Sequence, residues 1–204
     1  MKKTFSDPRR SQSGSQKLRE AYERKMENMA QADRVYLDET GSCINMTLPY
    51  GRARRGEVVR EKKPAHGGER LNTIALLSET GIQGEYHYSG TLNAEKFIFY
   101  LEYVALPSLV MGQVLIMDRH PVHCAREVRR FLRKNQVKYL YLPPYSPELN
   151  PIEEMFSKIK HYIKKHKPRT LNNLFKAIKE SFRTITLQDV VGYFKHANSF
   201  INQY

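Results

Sequence analysis

Asp38, Asp118 and Glu153 are the residues of this sequence whose types and spacing suit a chemical task. Asp38 closes the apolar run Val35-Tyr36-Leu37, and Asp118 closes Val114-Leu115-Ile116-Met117. Glu153 follows Asp118 after 34 intervening residues, just inside a helix led by Leu142-Pro143-Pro144-Tyr145-Ser146-Pro147-Glu148-Leu149-Asn150-Pro151-Ile152. Cutting or transferring a phosphodiester calls for cations that bind the phosphate, activate the attacking oxygen and stabilise the leaving one. Two Mg²⁺ (or Mn²⁺) ions roughly 3.5–4 Å apart meet all three needs, and carboxylates hold them. Mg²⁺ is hard and keeps several waters, so a few Asp and Glu side chains suffice. If the two strands are parallel neighbours, both aspartates emerge at the carboxyl edge where open α/β sheets place ligands.

Each acid also has a plainer reading. Asn150-Pro151-Ile152-Glu153 fits an N-cap, a first-turn proline and an N3 glutamate, so Glu153 could complete a capping box. Asp118 precedes Pro121 and Asp38 precedes Gly41, so either could be a turn residue. Glu39 rivals Asp38, and strand alternation lets only one of them face a site. On the helix, Ile152, Met155, Phe156, Ile159 and Ile163 form the apolar stripe. At about 100° per residue, Glu153 lies at its edge with Ser157, Lys160 and Lys164, while Glu154 points to solvent as an ordinary charge. Cys43 and Cys124 are isolated and read as small buried filler, with no zinc or disulfide pattern.

The elements that must position these acids follow from periodicity and punctuation. A charged helix is expected over 17–29, with Leu18, Tyr22 and Met26 four apart. Strands are expected at Val35–Asp38, Cys43–Leu48, Leu71–Ser78, Val114–Asp118 and Val137–Leu142. Asn93 can cap a helix carrying Phe97, Leu101 and Val104. Pro121 suits a helix start, with Val122, Ala125, Val128 and Leu132 as its stripe. Helices from Pro151 to about Lys165, Leu171 to Phe182 and Leu187 to Ile201 close the chain. This order predicts an α/β fold: a ribonuclease-H-like mixed five-stranded sheet with helices on both faces. The expected division is a basic arm and charged helix over 1–32 and a catalytic domain over 33–204.

The chain has 204 residues and 34 Lys plus Arg against 21 Asp plus Glu, a formal charge of +13. Such a field favours a polyanion, with nucleic acid first and an anionic membrane second. No apolar run approaches the roughly 20 residues that span a bilayer. The charged N-terminus lacks a signal peptide's apolar segment, so an intracellular, cytoplasmic setting is expected. Arg52, Arg54, Arg55, Arg60, Lys62 and Lys63 flank a glycine-containing loop. Arg126, Arg129, Arg130, Arg133 and Lys134 lie on one helix, and Lys158, Lys160, Lys164, Lys165 and Lys167 on another. From these, Arg52, Arg54, Arg55, Arg126, Arg130, Lys160 and Lys164 are candidate phosphate contacts, which give affinity without sequence readout.

Four segments occur in an order that resembles the mariner-like insertion-sequence transposases of bacteria, members of the DDE superfamily of endonucleases. They are Val35–Gly41, Gly90–Phe97, Ile116–Asp118 with His123, and Leu142–Lys160. The resemblance implies a ribonuclease-H-like domain with Asp38, Asp118 and Glu153 as catalytic metal ligands. It implies Mg²⁺-dependent cleavage at element ends and strand transfer, typically at TA, with no covalent protein–DNA intermediate. His123 matches a histidine that in relatives could contact DNA or the leaving group. A homodimer acting on nucleoid DNA is implied as well. Two departures stand out. Arg119 replaces a usual Asn, and no helix-turn-helix pattern precedes Asp38. Recognition would then come from a separately encoded subunit or a frameshift-fused region. The alternative is a catalytically inactive DNA-binding remnant.

Overall fold

Val114–Met117, apolar at every position, forms β4 and lies inside a five-stranded sheet, with both faces covered as such a run requires. The computed structural model describes residues 13–58, 60 and 68–201. In chain order, α1 is Ser13–Glu27, β1 Arg34–Cys43, β2 Arg70–Ser78 and β3 Gly81–Tyr88. Helix α2, Ala94–Tyr100, continues through a π turn at Leu101–Ala105 into α3, Leu106–Ser108. After β4 come α4, Arg126–Lys134, and β5, Lys138–Tyr141, then α5, Pro151–His166, α6, Leu171–Arg183, and α7, Leu187–Asn198.

The strands lie in the order β3-β2-β1-β4-β5, with β1, β4 and β5 parallel and β1, β2 and β3 antiparallel. This is the mixed sheet expected from the sequence. Alternation along the strands divides the core in two. Val35, Leu37, Leu115 and Met117 pack with Phe97, Tyr100 and Leu101, and with Val128 and Leu132 of α4. Tyr36 and Ile116 point the other way, onto Ile152, Met155, Phe156, Ile159 and Ile163 of α5 and onto α6 and α7. The stripe read on α5 is the one that is buried.

Four expectations need correction. No strand forms over Cys43–Leu48, because β1 itself runs to Cys43 and the chain then turns. Arg169 Nη1 donates to the carbonyls of Ile44 and Met46 at 2.9 and 3.1 Å, pairing backbone that would otherwise seek a sheet partner. The fifth strand is instead β3, a half-buried edge strand. Two glycines hid it, one of which, Gly84, takes a positive φ of 57° beside the Val104 carbonyl. Pro121 begins an isolated turn, and α4 starts only at Arg126, after an extended Ala125. Lastly, the boundary at 32/33 does not divide the core, since Tyr22 and Met26 of α1 are buried in the α5 side of it. Arg19 also reaches Glu23 at 2.9 Å and Glu148 at 2.8 Å, and so ties α1 to the proline-rich loop. The arm before residue 13, together with Lys62 and Lys63, lies outside the described residues.

Candidate active site

The parallel register of β1 with β4 ends at Leu37 opposite Met117. Asp38 and Asp118 are the next residues on each path, so they stand side by side where β4 stops. Asp118 thus follows a strand end as expected, whereas Asp38 sits in mid-strand, because β1 continues to Cys43 along β2. Asp38 shares the face of Tyr36, toward α5, whose first turn carries Glu153. All three acids line one cleft of about 650 Å³, with Glu39, Arg119, His120, Asn150 and the loop Leu142–Pro147 on its walls.

The capping box does not form. Asn150 stands at the N-cap in extended conformation, but its side chain makes no capping bond. Its Nδ2 donates instead to Asp38 Oδ2 at 2.8 Å, across a buried path from helix to sheet. The Glu39 N–H donates to Asp38 Oδ1 at 2.7 Å. Asp38 is therefore fixed at both oxygens, and Glu153 is left exposed and unengaged by the cap. Sequence reading missed this use of Asn150, because cap and cross-sheet partner call for the same residue type.

The two aspartates differ in charge environment. Burial pushes the Asp38 carboxyl up to about 8, and the negative charges of Glu153, Glu39 and Asp118 add to it. At Asp118 burial also pushes upward. A hydrogen bond from His123, the His120 N–H and the two imidazoles outweigh it, so its carboxyl lies below the ordinary range. His123 Nδ1 lies 2.7 Å from Asp118 Oδ1. Burial disfavours charge on that ring, but the bonds and charges of Asp118 and Glu39 raise it to about 10. A cleft whose buried aspartate is surrounded by acids is short of positive charge. Three hard carboxylates with room beside them fit Mg²⁺ or Mn²⁺.

The remaining candidates separate clearly. His123 is fully buried, so it has no surface to offer DNA. It braces Asp118 from behind, with its ring tilted against that of Phe97 at 4.5 Å between centroids. Arg119 follows strand alternation, and its guanidinium lies 5.4 Å over the Tyr141 ring rather than toward α5. Tyr141 is itself anchored by donating to the His123 carbonyl at 2.9 Å. Glu154 is not a free solvated charge, since it pairs with His196 and joins α5 to α7. Lys158 likewise pairs with Asp189 of α7 at 2.6 Å. Arg52, Arg54, Arg55, Arg126 and Arg130 are exposed and Lys160 and Lys164 half-buried, and none of the seven lines the acid cleft. Glu39 turns toward His123, as alternation requires, yet still rims the cleft.

Comparison with known proteins bears on this arrangement. The family model described as DDE superfamily endonuclease matches residues 33–175. A Caenorhabditis briggsae protein, the Transposable element Tcb1 transposase, is 25% identical over 126 residues, which are 60% of this chain and 46% of that protein. The chain thus spans about half the length of the curated relative it matches. Among solved structures, the mariner Mos1 paired end complex with Mg superposes with a TM-score of 0.77 at 15% identity, over 98% of this chain and 66% of that one. The catalytic domain of Mos1 mariner transposase superposes with a TM-score of 0.71 at 14% identity, over 98% and 93%. At these identities the structural likeness is one of fold.

Proposed function

The chain belongs to the DDE superfamily endonuclease family, and from that premise we propose that it carries the DNA-cutting and strand-transfer chemistry of a mariner-like transposase. The observation that carries this reading is the convergence of Asp38, Asp118 and Glu153 on one cleft, with a buried Asp38 deprived of positive charge. These three residues would hold divalent cations, which when bound supply Lewis-acid activation of the attacking oxygen and stabilisation of the leaving one.

The chain's own groups set the stage for that step. Asn150 and the Glu39 N–H hold Asp38 in one orientation, and His123 does the same for Asp118. Such partners of metal ligands fix which oxygen faces the ion. Water attacks in cleavage, and the freed 3′-hydroxyl attacks target DNA in transfer, so no protein nucleophile is needed. The exposed Arg52, Arg54, Arg55, Arg126 and Arg130, with Lys160 and Lys164, supply phosphate contacts without reading sequence. Recognition of the ends, the TA target and pairing into a dimer belong to this proposal as well. A separately encoded or fused helix-turn-helix region would supply the first of these. The inactive-remnant alternative has two motives, Arg119 and the lack of a helix-turn-helix pattern before Asp38, and the seat of Arg119 on Tyr141, turned from α5, weakens the first.

The test is nicking of DNA that carries the element's ends, with Mg²⁺ or Mn²⁺ present. Wild type is expected to cut and Asp118→Ala to lose cutting. Cleavage that survives Asp118→Ala would refute the assignment.

A further inference from the structure

Beside the three acids, with Glu39 and His120 on the rim of the same cleft and His123 buried beneath them, a second group of ligand-type side chains converges. One ligand atom each from Glu39, His120 and His123 lie within 4.8 Å of one another. Glu39 Oε2 is 3.1 Å from His123 Nε2, and Glu39 Oε1 is 3.9 Å from His120 Nδ1. The first two of these atoms are closed to solvent and face each other as a buried ion pair.

We propose that Glu39, His120 and His123 form a second cation site, selective for a borderline-soft ion such as Zn²⁺ and distinct from the three acids of the cleft. Two imidazoles and one carboxylate suit Zn²⁺ or Co²⁺, whereas Mg²⁺ prefers oxygen alone. Ligands about 2.0–2.1 Å from a tetrahedral ion lie roughly 3.3–3.5 Å apart. The 3.1 Å between Glu39 and His123 is close to that spacing. His120 stands on the exposed side of the 118–124 turn and can close the remaining gap by rotation. It gives up only a long 3.4 Å contact from the Val122 N–H.

The surroundings are of the required kind. His123 Nδ1 is already engaged by Asp118, so the ring presents its other nitrogen to the ion, in the carboxylate–histidine–metal arrangement of zinc sites. The ion would take the place of the Nε2 proton that faces Glu39. An entry route exists, since Glu39 and His120, which also rim the acid cleft, line an adjoining cavity of about 420 Å³ beside Asn72 and Tyr88. Arg70 also lines that cavity, with Nε committed to Asn72 Oδ1 at 2.8 Å. An ion bound there would lock the His123 tautomer that orients Asp118.

Titration of the full chain with Co²⁺ in excess Mg²⁺ tests the site through the visible ligand-field band of four-coordinate Co²⁺. One equivalent of band-forming ion is expected, displaced by Zn²⁺. His120→Ala, a change at an exposed side chain, should weaken it by at least about tenfold. An Asp38→Asn, Glu153→Gln double variant removes two cleft acids and should keep the band. Absence of the band in wild type overturns the proposal. So does a band that survives His120→Ala or disappears in the double variant. The double variant also separates this site from the proposed catalytic one, whose failure would leave the Co²⁺ band in place.

Discussion

Asp38 and Asp118 stand side by side on neighbouring parallel strands, yet the protein treats them oppositely. Asp38 faces α5, is buried, and has Glu153, Glu39 and Asp118 as its charged neighbours, so its carboxyl tends to keep its proton. Asp118 is half exposed, and His123 behind it keeps it ionised. One aspartate is made to need a cation, and the other is held ready by one the protein supplies. Ligands of one type at one sheet edge are thus tuned by what lies on the two faces of the sheet. This is the separation of environments by which neighbouring carboxylates acquire different roles.

The sharpest way to break this comparison is paired substitution. Asp38→Asn and Asp118→Asn are each expected to lower metal-dependent cleavage by about 10³-fold, the scale of several kcal/mol of transition-state stabilisation. Their effects on the metal-free fold should have opposite signs. Asp38→Asn removes an ill-placed charge and should raise the melting temperature at pH 8. Asp118→Asn takes from the buried His123 one of its two carboxylate partners, leaving Glu39, and should cost about 1 kcal/mol, the low side for a weakened pair because Asp118 is itself half exposed. Equal signs in thermal melts would refute the contrast.

Next in size is Asn150→Ala. Loss of the 2.8 Å bond to Asp38 should reduce Mn²⁺ affinity measured by calorimetry by about 10–100-fold, the scale for a partner of a metal ligand. Helix stability should change less, since this Asn makes no capping bond.

The pH dependence follows from sign. Asp38 has a folded value near 8, above its ordinary 3.8. Its contribution to stability is complete below about pH 4 and is lost as pH rises toward 8. His123, raised from 6.5 to about 10, contributes fully below about 6.5 and loses that contribution through 10. The metal-free protein should therefore melt at progressively lower temperature from pH 5 to pH 9. Mg²⁺ should restore more stability at pH 8 than at pH 6, and Asp38→Asn should flatten the lower part of the slope. The smallest effect is expected for Arg119→Asn, no more than about a few-fold change in cleavage rate, since its guanidinium rests on Tyr141. A change of cleavage rate as large as that of Asp118→Asn would place Arg119 at the metals instead.

Much of this was legible before any fold was drawn. The apolar run Val114–Met117, the α5 stripe and the net positive charge are local or compositional, and period and charge report them directly. The 34-residue interval between Asp118 and Glu153, and the proline-rich string that leads into Glu153, nominated the acids. What failed was equally physical. β3 is a glycine-bearing edge strand whose half-buried residues give no clean alternation, and Pro121 opens a turn rather than a helix.

The sequence by itself nominated the three acids and determined which faces are apolar and what kind of partner the charge favours, because residue type and spacing carry those properties. Only the tertiary structure decided that Asn150 serves Asp38 rather than its own helix, and that His123 lies buried between Asp118 and Glu39. It also decided that Arg119 rests on Tyr141. Each depends on contacts between segments distant in the chain, whose partners are selected by packing of the two sheet faces and leave no periodic trace in the local sequence.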